Sequence, residues 1–583
     1  MKIYRRLKQY SGAKIGYAYA SITLAVLATI AMILPYYWLY QCLDDLILRA
    51  DFRAAGAKAI GITISLILYG AFYMASAMCS HALGFRFETD LKKTGLKKIM
   101  TAPFSFFDRH SSGQIRKILD DNASLTHASI AHLIPDQTVA ALMPILILAT
   151  NFLVDWRIGL LTLVIIVLAF ILVRFMTGEQ SFMDLYMKLQ EEMNARAVEY
   201  VRGMPVVKIF KADVHSIKAF YQSIAAYSKA AYQYSMSCRG VYVPFQLLLG
   251  GAFLLLIPLG FWLFNEGEVP AFFLSKAIFF VVFFGLINFF LMGIMYVGMH
   301  HFLANNAVDK IEALVREIDE AQPERGRVER LAGTDICFDK VTFSYGDHPV
   351  IEDLSFHLEG GKTYALVGPS GGGKSTIAKL ISGFYSLSAG QILIGGLPLS
   401  AYSEACLTKN IAFVFQQSGL FKVSLYENVR MGRPDAGREE VLAAMTAAQC
   451  DPILAKFPER ENTLIGSHGV HLSGGEIQRI AIARAILKDA PIVVLDEASA
   501  AADPDNEFEI QQALTRLMQG KTVVMIAHRL SSIQGADEVL VVEAGQIVER
   551  GRHDGLMAGD GRYATLQRLF SQANDWQLAQ GGR

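Results

Sequence analysis

Gly368-Pro369-Ser370-Gly371-Gly372-Gly373-Lys374-Ser375-Thr376 follows a short apolar run, 364–367, and precedes an apolar helix predicted to begin near Ile377. The run reads as a strand, so the nonapeptide is GxxxxGK[ST] in a strand–loop–helix setting. Its glycines let successive backbone N–H groups turn inward around phosphate oxygens, and the helix N-terminus adds its positive dipole. Lys374 offers a point charge to the β- and γ-phosphates, and Ser375 offers a hydroxyl to Mg²⁺. The candidate nucleotide contacts are therefore Gly368, Ser370, Gly371, Gly372, Gly373, Lys374, Ser375 and Thr376. An incidental glycine-rich turn would need neither the flanking strand nor the Lys-Ser-Thr ending.

Working outward, a phosphate cradle needs an acid to hold the metal. The run 491–495 is almost purely apolar, as a buried parallel strand is, and it ends in Asp496-Glu497. An acid at a strand's carboxyl end lies where α/β sheets bind ligands. Asp496 is placed to hold Mg²⁺, and Glu497 to polarise the attacking water as a general base. Another apolar strand, 521–527, ends in His528, within reach of a γ-phosphate. Leu472-Ser473-Gly474-Gly475-Glu476-Ile477-Gln478-Arg479 opens a helix, with Ser473 as N-cap and Glu476 at capping-box spacing. That is a second exposed anion-binding helix start in a chain that already has one cradle. It makes sense as the completion of a site in a second copy.

The first half of the chain has a different texture. Of 583 residues, 52% are hydrophobic and 19% charged, against ~25% charged in an ordinary soluble protein. The mean hydropathy is +0.32. Disorder is excluded, because it needs low hydrophobicity and high net charge. The 54 basic and 54 acidic side chains cancel, so nothing in the global charge calls for a nucleic-acid partner. The six cysteines form no CxxC pair and read as buried thiols.

Six long apolar stretches, 15–40, 55–79, 137–154, 158–175, 241–264 and 271–299, lie in the first ~300 positions. Each approaches or exceeds the ~20 residues that cross a bilayer core of ~30 Å. Asp155, Trp156 and Arg157 alone separate the third stretch from the fourth, which predicts a tight turn. Basic residues set the orientation. Lys2, Arg5, Arg6 and Lys8 open the chain, and segments 81–136 and 176–240 are rich in Lys and Arg. Segment 265–270 has neither. Both termini, and everything after the sixth span, are therefore expected in the cytoplasm. The polar segments 85–100 and 181–231 keep apolar residues at helical spacing, which predicts helices running past the bilayer. Breaks are expected near 103–113 and 197–205, where Gly and Pro interrupt good helix formers. Gln322-Pro323-Glu324-Arg325-Gly326 reads as a linker.

The signature Leu472–Arg479, the phosphate loop, the Asp-Glu strand and the terminal His, in that order, resemble the ATP-binding cassette of ABC transporters. The membrane half resembles that of exporter-fold half-transporters. The fold expected from this resemblance is an α-helical transmembrane domain (1–320), a linker (321–335) and an α/β P-loop nucleotide-binding domain (336–583). The resemblance implies that Tyr345 stacks on adenine and that Gln416 senses Mg²⁺ beside the membrane domain. It also implies that Ser473, Gly474, Gly475 and Gln478 close on a partner chain's ATP, that Asp503 crosses the dimer seam, and that His528 is the switch histidine. Phe106-Phe107-Asp108 to Gly113 and Glu199 to Phe210 resemble the turn-overs that transmit motion.

Three departures stand out. Ala500-Ala501-Ala502-Asp503 stands where the family often has Ser-Ala-Leu-Asp, Ser467 replaces a frequent glutamate, and Gln417 replaces a frequent acid. Lys374, Asp496, Glu497 and His528 are all intact.

The resemblance implies ATP and Mg²⁺ as cofactors and a second half-transporter chain, alike or different, as partner. It implies a place in the cytoplasmic membrane and transport of a small amphipathic or hydrophobic cargo, outward by default. Segment 199–210 is similar to half-transporters that handle siderophores, and some of those import. A cassette with a single membrane anchor does not need six spans, and a nucleotide-gated channel does not need Glu497. Gln246, Asn288 and Asn151 within the spans, with His81 and Arg86 near the end of the second, are candidates for the cargo path or for interhelical bonds.

Overall fold

A helix satisfies its own backbone polar groups, so apolar runs of this length become helices. The computed structural model describes residues 2–176, 180–210, 215–265, 270–346, 348–416, 418–466, 469–496, 504–527 and 533–569. They divide into two units. One is drawn from Met1–Met100 and Ser112–Glu317, the other from Thr101–Ser111 and Ile318–Arg583.

The first unit begins with a short helix, α1 (Lys2–Ser11), and α2 (Gly16–Ile47). Then come α3 (Phe52–Met100), the short α4 (Phe104–Arg109) and α5 (Ser112–Arg116), and α6 (Asn122–Val154). α7 (Trp156–Met176), α8 (Gln180–Phe210), α9 (His215–Gly251), α10 (Leu256–Asn265) and α11 (Pro270–Ala321) complete the run. α3 has 49 residues and α11 has 52. At 1.5 Å per residue each is roughly 75 Å long, more than twice a bilayer core. The expected extensions past the spans are therefore real helices. The turn between the third and fourth stretches is a single extended residue, Asp155, whose carboxylate accepts the backbone N–H of Arg157. α11 supplies much of the apolar core. Phe279, Phe280, Phe283 and Ile287 are fully buried against Met143 and Ile147 of α6, Ile158 and Ile165 of α7, and Phe245 of α9.

One expectation is refined and another needs correction. Five helices among the described residues are long and apolar enough to cross a membrane. The stretch expected at 241–264 is divided between α9, a 3₁₀ turn at Ala252–Leu255, and α10. Gly250 and Gly251 weaken the helix there. The ring of Pro258 also crowds the carbonyl of Leu254, four residues back, and removes its bond. The second break, expected at 197–205, does not occur, because α8 runs through Gly203 and Pro205 to Phe210. One proline costs one helical bond, and packing against α9 outweighs it. Tyr186 and Tyr227 share a hydroxyl hydrogen bond of 2.8 Å, and Tyr200 stacks on Phe220. Residues 211–214, between α8 and α9, lie outside the described residues. The first break falls where it was expected, at α4 and α5, and continues as a π-helical turn at Lys117–Asp121.

The second unit carries two sheets. β1 (Ile336–Tyr345), β2 (His348–Leu358), β4 (Ala389–Ile394) and β5 (Leu397–Pro398) form an antiparallel sheet in the order β2-β1-β4-β5. β3 (Thr363–Val367), β6 (Ile411–Val414), β7 (Ile492–Asp496), β8 (Thr522–Ile526), β9 (Glu538–Glu543) and β10 (Gln546–Gly551) form the other, in the order β10-β9-β3-β8-β7-β6. The pairs from β9 to β6 are all parallel. Alternation decides which core each side chain enters. Ala365, Val367, Val493 and Leu495 face one core, while Tyr364, Leu366, Ile492 and Val494 face the other. A parallel sheet needs both faces covered. The covering helices include α12 (Lys374–Ile381), α13 (Glu404–Asn410), α14 (Leu425–Arg430), α15 (Arg438–Ala447), α16 (Asp451–Ala455), α17 (Gly474–Lys488) and α18 (Pro504–Met518).

The segment read as a linker is docked. Gly326 N–H donates to the Tyr402 carbonyl, Val328 N–H to that of Ala401, and Arg325 to that of Gly383. A Cβ at Gly326 would lie 2.1 Å from the Ala401 oxygen, so only glycine lets the backbones meet.

Candidate functional site

β3, β8, β7 and β6 run parallel, so their carboxyl ends lie along one edge of the sheet. The phosphate loop leaves β3 there. Gly368 has φ +150° and Gly373, the N-cap of α12, has φ +102°. A Cβ on Gly368 would stand 2.0 Å from the carbonyl oxygen of Val542 on β9. The loop is thus pressed onto the neighbouring strand, and Gly545 N–H donates back to the Gly372 carbonyl. Lys374 is buried, and its ammonium donates to the carbonyls of Gly368 and Pro369 at 2.9 and 2.8 Å. It caps the cavity side of the loop, where phosphate oxygens would replace those acceptors. Ser370, Gly371 and Ser375 are exposed, while Gly372, Gly373 and Thr376 are buried.

Asp496 ends β7, two strands away, and still reaches this loop. Ser375 Oγ donates to Asp496 Oδ1 at 3.3 Å. A hydroxyl and a carboxylate so placed are the hard oxygen donors that suit Mg²⁺. Gln416 follows β6 on the same edge and is exposed. Glu497, Asp503 and His528 lie outside the described residues.

The second helix start is built as a capping box. Ser473 Oγ accepts from Glu476 N–H, and Glu476 Oε2 accepts from Ser473 N–H at 2.7 Å. Lys456 donates to the other carboxylate oxygen. Burial pushes the Glu476 carboxyl up, but the bonds from Lys456 and Ser473 hold it below the usual carboxylate range. Glu476 therefore stiffens the helix start, and leaves Ser473 and Gly474 exposed. Gln478 points the other way. It is buried, and its Nε2 has no hydrogen-bond partner.

Tyr345 ends β1 half-buried, edge-on to Phe343 and Tyr385. Tyr385 carries a feature that motif reading missed. Its hydroxyl bonds that of Tyr345 and donates to Asp108 of α4 at 2.5 Å. Burial first, and the Asp108 carboxylate second, push its phenol well above the ordinary range. Beside it, Phe104 of α4 stacks on Phe384 with ring centroids 3.9 Å apart. Phe384 packs on Phe413 and Phe415, next to Gln416. Arg484, also missed, bonds the carbonyls of Asn428 and Gly419 and so clamps the chain that follows Gln416. The aromatic pair Phe384-Tyr385, after the left-handed Gly383, was the available sequence signal.

A family model described as ABC transporter matches residues 351–500, and one described as ABC transporter transmembrane region matches residues 19–291. The mycobactin import ATP-binding/permease protein IrtA of Mycolicibacterium smegmatis is 34% identical over 515 residues, 87% of this chain and 58% of that protein. The chain thus spans less than two thirds of that relative's length. The ATP-dependent lipid A-core flippase of Pseudomonas aeruginosa is 35% identical over 491 residues, 82% of this chain and 79% of that protein. A solved bacterial Atm1-family ABC exporter with ATP bound shares the fold. Its TM-score is 0.74 at 24% identity, over 95% of this chain and 98% of that one. The chain therefore belongs to the ABC transporters, with a transmembrane region and an ATP-binding cassette joined in one polypeptide.

Proposed function

We propose that this chain is one half of an ATP-hydrolysing primary active transporter in the cytoplasmic membrane. It moves a small amphipathic or hydrophobic solute outward, with both termini and the cassette in the cytoplasm. The observation that carries this reading is the contact of Ser375 with Asp496 beside the Lys374 cradle, in a chain whose other unit is built to cross lipid.

Each residue has a proposed task. Tyr345 stacks on adenine. The backbone N–H groups from Gly368 to Thr376 cradle the phosphates, and Lys374 places a charge against them. Ser375, Asp496 and Gln416 would hold Mg²⁺, which when bound neutralises charge between the β- and γ-phosphates. Glu497 orients and deprotonates the attacking water, and His528 positions the γ-phosphate. Ser473, Gly474, Gly475 and Gln478 close over the nucleotide of a second half-transporter chain. Closure binds ATP far better than the open state does, and that difference in affinity drives the switch. Residues 1–320 form the membrane domain, 321–335 the linker and 336–583 the cassette.

A second reading reverses the direction. The identity to a mycobactin import protein favours uptake of a metal–siderophore complex, with this chain as one half of a heterodimer.

Steady-state ATPase activity of the chain alone in lipid nanodiscs tests the proposal, with Glu497→Gln as control. Activity lost in the variant by about 10²-fold or more supports hydrolysis by a self-paired chain. Undiminished multi-cycle transport by the variant would sink the pump reading. Uptake into right-side-out vesicles against efflux from them then decides direction.

A further inference from the structure

Several elements of the second unit converge on Tyr385. Two residues before it, the Gly383 carbonyl accepts from Arg325 of the docked segment. Gly383 N–H and Phe384 N–H bond back to the carbonyls of Leu380 and Lys379, at the end of α12. The Tyr385 ring lies edge-on to Phe343 and to Tyr345 of β1, with centroids 5.4 Å away in each case. The Lys379 ammonium stands over the same ring at 5.9 Å. The Tyr385 hydroxyl donates to Asp108 of α4, so it accepts from the hydroxyl of Tyr345.

Three side chains thus form one row, from Tyr345 O–H through Tyr385 O–H to the Asp108 carboxylate. A carboxylate at the end of such a row polarises it and strengthens each bond. Tyr345 is the last residue of β1 and only half-buried, so its ring takes its orientation from these neighbours. A ring already held has less freedom to lose when a flat partner stacks on it.

We propose that Tyr385 and Asp108 are positioning residues for the base of ATP, holding the Tyr345 ring in the orientation on which adenine stacks. This rests on the proposed stacking by Tyr345, and adds that α4 sets the affinity of the cassette for nucleotide. The coupling is reciprocal. Nucleotide on Tyr345 tightens the docking of α4 by the factor by which docked α4 tightens nucleotide.

The test titrates the full chain in lipid nanodiscs by calorimetry, with EDTA in place of Mg²⁺ so that nothing is hydrolysed. The two probes are ATP and inorganic triphosphate, which has no base. Tyr385→Phe is expected to weaken ATP about five- to tenfold, the scale of one hydrogen bond, and to bind triphosphate as the wild type does. Asp108→Ala is expected to do the same. The double variant should be no weaker than the weaker single one, because both act through one row of bonds. Asp108 is exposed, so its variant carries the test should Tyr385→Phe fold poorly. Tyr345→Ala separates the two readings. ATP affinity lost in Tyr345→Ala but kept in Tyr385→Phe and Asp108→Ala overturns the positioning role and leaves the stacking in place. Affinity kept in Tyr345→Ala defeats the stacking, and the positioning role with it. Equal losses for ATP and triphosphate would place the effect in the phosphate cradle, and additive losses would make the two residues independent. Either result overturns the proposal.

Discussion

Gly368 shows how little room the phosphate loop leaves. A methyl group there would meet the Val542 carbonyl at 2.0 Å, in a backbone conformation that non-glycine residues avoid. Gly368→Ala is expected to move the loop off β9 and to weaken nucleotide binding by about tenfold or more, at a stability cost of ~2 kcal/mol. Titration with a fluorescent ATP analogue checks the first, and thermal unfolding of the same variant checks the second. Wild-type affinity in a folded variant would show that the contact with β9 is dispensable. This part of the site was legible in the chain because it is local. Nine consecutive residues carry the turn, the donors and the helix start. Asp496 was legible because an acid closes an apolar strand. Tyr385 was not, because its partners Tyr345 and Asp108 are 40 and 277 positions away, and nothing in one stretch of sequence announces such a meeting.

Helices and strands were legible where a run repeats one pattern, and were misread where two signals compete. Gly203 and Pro205 look like a break, yet α8 continues because Phe220 and Tyr227 of α9 pack against it. Gly250, Gly251 and Pro258 interrupt a stretch apolar enough to hide them. At this scale α4 is the informative element. It is six residues long, too short to be stable alone, and so depends on the cassette surface for its order. Phe104 docks it by stacking and Asp108 by accepting from Tyr385. Tyr385→Phe keeps the ring and removes the hydroxyl between Tyr345 and α4. The loss is ~1–2 kcal/mol of docking. Fewer solute molecules moved per ATP hydrolysed, measured side by side in proteoliposomes, is the expected result. An unchanged ratio would mean that the aromatic stack alone suffices.

The whole membrane unit is tied at one end by charge. Lys276, near the start of α11, pairs with Asp155 at the α6–α7 turn at 2.6 Å, and both side chains are under a tenth exposed. Ser275 beside it bonds Asp44 of α2. Lys276→Met leaves a buried carboxylate without its cation and is expected to cost ~3–5 kcal/mol. Lys276→Met with Asp155→Leu removes both charges and should recover most of that loss. Thermal unfolding of the single and double variants in detergent compares them, and a double variant no better than the single would disprove the pairing. None of this was readable beforehand, since Lys276 sat inside an apolar stretch and looked like an isolated exception.

α2, α6, α8 and α9 each carry an internal proline, whereas α3 and the whole of α11 beyond its first residue carry none. The two longest helices are therefore also unbroken by proline, and both run covalently into the second unit, at Thr101 and at Ile318. A beam of roughly 75 Å that does not bend behaves as a lever. A tilt of about 10° at one end carries the other through ~13 Å. Stiffness is thus built into these two members, while α2, α6, α8 and α9 each keep a point of compliance at a proline, and a small displacement at one end of a stiff member is enlarged at its other end.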